Sequence, residues 1–142
     1  MSVPTLSAER ILTNAREIIA DPRHWHQGSW FSGDSEHFFG DLRPEAMCGE
    51  GACYRAVYEH FVKYRPQRKS HIQSSPNPIA ALMRLVDPHL FNSHYHAQRT
   101  LNTIVGGQFF PSWQDQPYRL HSEVIEVFTK AIDRIRESKE NP

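Results

Sequence analysis

The sequence predicts an all-α fold, and three observations carry that prediction. Apolar residues recur at helical spacing in separate segments along the chain. Helix start and stop residues punctuate those segments. No two stretches alternate apolar and polar residues in a way that would pair as strands. About five helices around one core, joined by long aromatic-rich loops, is the resulting architecture.

The first helix is predicted over 7–20, with Ile11, Leu12, Ala15, Ile18 and Ile19 on one stripe. Ser7 is its expected N-cap, Leu6 can staple against Ile11, and Asp21-Pro22 closes it. Residues 21–43 show no period but carry Trp25, Trp30, Phe31, Phe38 and Phe39 among Gly, Ser and His. So aromatic a loop must pack on its own core or on a partner.

Pro44 suits a first helical position, which predicts a helix over 44–64 with Cys48, Ala52, Ala56, His60 and Tyr64 four residues apart. Residues 65–75 are read as a polar, basic connection. Asn77-Pro78 opens a short helix that Asp87-Pro88 closes. A fourth helix is expected over 92–105, capped by Asn92 and stopped by Gly106-Gly107. Phe109 and Phe110 are expected to be extended. The last helix, 121–138, buries Val124, Val127, Phe128, Ala131, Ile132 and Ile135, and the tail 137–142 frays.

At 142 residues the chain suits one domain, 1–142, able to bury a core without metals or disulfides. Hydrophobic content of 39% and charged content of 23% argue against global disorder. Sixteen positive and sixteen negative side chains leave no overall field to draw nucleic acid or a membrane surface. No apolar run reaches the roughly 20 residues of a membrane span, and the start lacks the order of a signal peptide. Cys48 and Cys53, five residues apart in a predicted helix, would sit about 7.5 Å apart along its axis and on different faces. Unbridged thiols fit a reducing compartment, so a cytoplasmic location is expected.

Three stretches together, ILTNAREIIADPRHWHQG, CGEGACYRAV, and LNTIVGG followed by WQDQPYRLHSEVIEVFTKAI, carry a resemblance. They resemble an uncharacterised family of small bacterial and phage proteins in which a Trp-Asn-Asp turn precedes Gly-Arg-Thr-His-Ala-Glu-Val. The matching positions are Cys48, Gly51, Ala52, Trp113, Asp115, Pro117, Arg119, His121, Glu123 and Val124. Gln114, Tyr118 and Leu120 depart from the pattern, standing for Asn, Gly and a capping Thr. Residues 60–96 look particular to this chain. The resemblance supports the fold and implies no activity.

Cys48, His121 and Asp115 are the parts of a nucleophile, a base and an orienting acid. A helix N-terminus would favour the Cys48 thiolate and keep His121 neutral. The competing reading is structural: Cys48, Gly51, Ala52 and Ala56 form a small-residue strip for close packing, and Asp115 and His121 satisfy a helix entry. No oxyanion-hole loop accompanies the trio.

His24-Trp25-His26 and His94-Tyr95-His96 lack the further ligands of a familiar zinc pattern, so no metal and no cofactor are expected. Lys63, Arg65, Arg68 and Lys69 around Tyr64 read as a solvated loop, since no nucleic-acid recognition motif accompanies them. The expected function is binding of another protein, as a phage or mobile-element accessory or inhibitor protein, with Trp25, Trp30, Phe31 and Tyr118 as anchors. A cysteine-dependent hydrolase or transferase is the alternative. The sequence does not specify an oligomeric state.

Overall fold

The computed structural model describes residues 3–33 and 38–140, with the side chain of Glu140 left out. Among these residues there are seven α-helices and no strand beyond two isolated bridges, Trp25–Met47 and Phe31–Met47. The helices are α1 (Ala8–Ile18), α2 (Gly49–Tyr64), α3 (Lys69–Gln73), α4 (Pro78–Leu85), α5 (Pro88–Ile104), α6 (Phe110–Gln114) and α7 (His121–Glu140). The all-α class is as predicted, and the helix count is higher.

Helix α1 is central and packs against α2, α5 and α7. Ser7 caps it by accepting the Arg10 N–H at 3.1 Å, and Ile11, Leu12 and Ala15 are fully buried. From α7, Val124, Phe128, Ala131 and Ile132 reach the same core. The α4 start at Asn77-Pro78 and the α5 stop also follow the sequence. Gly106 and Gly107 take φ of 76° and 83°, a region that side chains with a Cβ rarely adopt.

Four local expectations are corrected. Pro44 does not open α2. The Ala46 carbonyl, the Met47 N–H and carbonyl and the Cys48 N–H bond to the aromatic loop, pairing with Ser32, His24, His26 and Trp30. With its amides and carbonyls taken, 46–48 runs extended, and Cys48 becomes the N-cap of α2 rather than a helical residue. Asp87-Pro88 follows the end of α4 as expected but also opens α5, in place of Asn92: the Asp87 carboxylate accepts the Leu90 N–H at 2.8 Å, and Asn92 lies within the helix. The connection 65–75 holds a 3₁₀ turn at Pro66–Arg68 and α3, anchored by the fully buried Ile72. Phe109 and Phe110 are not extended together, because Asn102 Oδ1 accepts the Phe110 N–H at 2.7 Å and starts α6. Residues 34–37 of the aromatic loop and 141–142 of the predicted frayed tail lie outside the described residues.

Candidate functional site

Parts of the three stretches that carry the sequence resemblance meet at the N-terminus of α2. Gln114, 1% exposed, is their hub. Its Oε1 accepts the Gly49 N–H at 2.6 Å and the Trp25 indole N–H at 3.1 Å. Its Nε2 donates to Asp115 Oδ1 at 2.6 Å, and that oxygen also accepts the Gly28 N–H at 3.1 Å. Gln27 ties the same turn by donating to the carbonyls of Gln114 and Gln116. A buried amide is stable only when its polar atoms find partners, and here both Oε1 and Nε2 have them. The hub thus locks α6, the aromatic loop and the start of α2 together.

Small residues make the approach possible. A Cβ on Gly49 would fall 2.8 Å from the Phe110 ring and 2.9 Å from that of Phe128. On Gly51 it would fall 2.2 Å from the Trp30 carbonyl oxygen. Of the predicted small-residue strip, Gly51 therefore admits a loop carbonyl, and Gly49 beside it admits two aromatic rings.

Cys48, His121 and Asp115 do not form one hydrogen-bonded trio. The Cys48 sulfur is buried and accepts the Gly51 N–H at 3.2 Å. Burial pushes its thiol up to about 12, against the pull of that N–H, and the nearby Glu50 and Asp115 carboxylates add to the rise. At neutral pH it is a thiol. His121 is drawn elsewhere: its Nε2–H donates to the Ile19 carbonyl at 2.6 Å, and its ring leans on Trp25 at 5.8 Å. Asp115 meets the Cys48 end of α2 through Gln114, whereas His121 pins α7 to the end of α1. Glu123 accepts the Leu120 N–H at 2.8 Å and supplies the capping that Leu120 lacks.

The four aromatic candidates divide by exposure. Trp25 and Phe31 are half-buried and bridge to Met47, while Trp30 is 42% and Tyr118 69% exposed. Trp30 lies 6.3 Å from Phe38 and 6.0 Å from Tyr54, centroid to centroid, and its carbonyl accepts the Cys48 N–H. Burial raises the Glu50 carboxyl above its ordinary range, with a hydrogen bond to Trp30 opposing. Beside Trp30 is a notch of about 200 Å³ formed with Phe31, Phe38 and the Pro76–Ile79 turn. Tyr118 lies against Arg119, whose guanidinium also covers the Trp113 ring at 3.7 Å.

Sequence reasoning missed Gln114 as more than a departure from a motif, and it placed His94 near the start of its helix without marking it as buried. His94 is 7% exposed in the middle of α5 and lies 4.5 Å from the Tyr54 ring. Neither ring nitrogen has a hydrogen-bond partner among the described residues, and burial lowers its pKa to about 4. The apolar i−4 and i+3 neighbours of His94, Leu90 and Ala97, were the available signal that it faces inward. Among the described residues no three His, Cys, Asp or Glu side chains are grouped to hold a metal ion.

Fold and site define an all-α protein whose motif residues knot a helix start to an aromatic loop. The chain belongs to a family of unknown function, DUF6197, which it matches over residues 3–134. That span includes 60–96, the segment the sequence comparison had set apart. No curated protein and no solved structure matches the chain.

Proposed function

We propose that the protein acts by binding another protein through the face built on Trp30. One observation carries this reading: Trp30 is 42% exposed yet held in place beside an apolar notch. Its carbonyl is fixed by Cys48, its backbone is packed on Gly51, and its ring lies against Phe38 and Tyr54. A preordered aromatic loses little entropy on binding, and such side chains dominate interface energies. Tyr118 is a second anchor candidate, whereas the Trp25 indole N–H is already spent on Gln114. A small cytoplasmic accessory or inhibitor protein of a phage or mobile element would work in this way. The resemblance and the small size support that setting.

The test places a photo-crosslinking amino acid at Ile79, on the far wall of the notch, and identifies proteins captured in cells. The expected result is one recurrent partner whose capture falls at least about tenfold in Trp30→Ala, with the fold retained by circular dichroism. Capture that is unchanged by Trp30→Ala would reject this face.

A further inference from the structure

A surface groove of about 550 Å³, separate from the Trp30 notch, lies beside the second half of α2. Its charged lining is Arg43, Arg55, Lys63 and Lys69 against Asp41 and Glu59. Both carboxylates are committed. Glu59 takes Arg43 through two bonds of 2.7 Å and also Arg55 Nε at 2.7 Å, while Asp41 pairs with Lys69. One carboxylate oxygen thus holds two guanidinium groups side by side, and the trio carries one net positive charge, with the Glu17 carboxylate also acting on Arg43. Lys63 adds another, its ammonium 5.5 Å from the Tyr64 ring centroid.

Arg55 is 3% exposed, and its remaining contacts fix it rigidly: Nη1 donates to the carbonyls of Phe38 and Gly40, both at 2.9 Å. Its Nη2 and the Nη1 of Arg43 have no hydrogen-bond partner among the described residues. Two single guanidinium donors and one ammonium therefore line the same groove. The paired fork of Arg43, which would suit a planar carboxylate, is already used on Glu59. Single donors from different residues suit the oxygens of a tetrahedral phosphoryl group. Val62 and Leu42 give the groove an apolar wall, and its volume falls in the range of small-molecule sites. The C-terminal dipole of α2 disfavours an anion there, and Lys63 offsets it.

We infer that this groove binds a small phosphate monoester with an apolar body, its phosphoryl group meeting Arg43, Arg55 and Lys63 and its body lying on Leu42 and Val62. The site is independent of the Trp30 face. Stacked rings run between the two, Phe31 on Phe38, Phe38 on Phe39 and Phe39 on Tyr58, at 4.7, 4.5 and 4.6 Å.

Calorimetric titration of the full chain with phenyl phosphate at low salt tests this, with inorganic phosphate and phenol alongside. The expected result is saturable one-to-one binding of phenyl phosphate, tighter than that of inorganic phosphate, and none of phenol. Lys63 is exposed, so Lys63→Glu should weaken binding by about tenfold at an unchanged melting temperature. Absence of saturable phenyl phosphate binding would overturn the inference. So would phenol or inorganic phosphate binding as tightly, or affinity unaffected by both Lys63→Glu and Arg43→Gln.

Discussion

At the scale of single residues, burial decides what the reactive groups can do. Cys48 stands where a helix dipole should favour thiolate, but a sulfur out of water cannot easily carry charge, and desolvation outweighs the dipole. Alkylation of the folded protein by iodoacetamide should therefore be slow at pH 7 to 8 and should accelerate only on unfolding. Fast labelling with an apparent pKa below about 8.5, abolished by His121→Ala, would instead favour the cysteine-enzyme reading. His94 makes a pH prediction. Its folded-state pKa of about 4 lies below its ordinary 6.5, so the fold prefers the neutral ring. The unfolded chain binds the extra proton first as pH falls. The stabilisation is complete above pH 6.5 and is lost between 6.5 and 4, by up to about 3 kcal/mol. Urea midpoints measured across that window should drop in the native protein and drop less in His94→Phe.

At the scale of elements, helix starts depend on which groups take the free amides. The first N–H groups of α2 meet Cys48 sulfur and the Gln114 side chain, and the latter comes from 65 residues away. Gln114→Ala leaves the Gly49 N–H and the Trp25 indole without a partner, so it should cost about 3 kcal/mol in chemical denaturation. A loss under about 1 kcal/mol would show that the knot does not hold α2. Gly51→Ala should be at least as damaging, because its new Cβ meets a backbone carbonyl that cannot rotate away. On α7, Phe128 is fully buried with its edge toward Phe110 at 5.8 Å, so Phe128→Ala should lower stability by about 3–5 kcal/mol in urea melts.

At the scale of the whole molecule, one apolar cluster joins the N-terminal segment, the aromatic loop and residues of every helix. That contiguity predicts a single cooperative unfolding transition, with far-UV dichroism and tryptophan fluorescence changing at the same urea concentration. Separated midpoints would show that the aromatic loop, with Trp25 and Trp30, opens on its own. The charged groove and the Trp30 notch lie on either side of the same ring stack, which ties both surfaces to that core.

The sequence by itself determined the helical class, the apolar faces of α1 and α7, the Asn77-Pro78 start and the Gly106-Gly107 stop. Each of these follows from local periodicity or from a conformation that few residue types adopt. It also brought Cys48, Gly51 and Asp115 to notice, as parts of a motif. Only the tertiary structure decided where α2 begins, since Pro44 allows a helix that the loop carbonyls of His24 and Trp30 then pre-empt. It alone decided that Gln114 is a hub, because a glutamine in a short polar turn carries no sign of burial until distant amides point at it. Asp87-Pro88 reads as a stop on paper, and the fold makes it a start as well, with the Asp87 carboxylate capping α5 as Leu90 packs into the core. Above all, the distance between chemically suggestive residues is a tertiary quantity. Sequence left open whether Cys48 and His121 share a site, and the fold uses one to cap α2 and the other to bond the Ile19 carbonyl, because each hydrogen-bonding group binds the partner that burial brings to it.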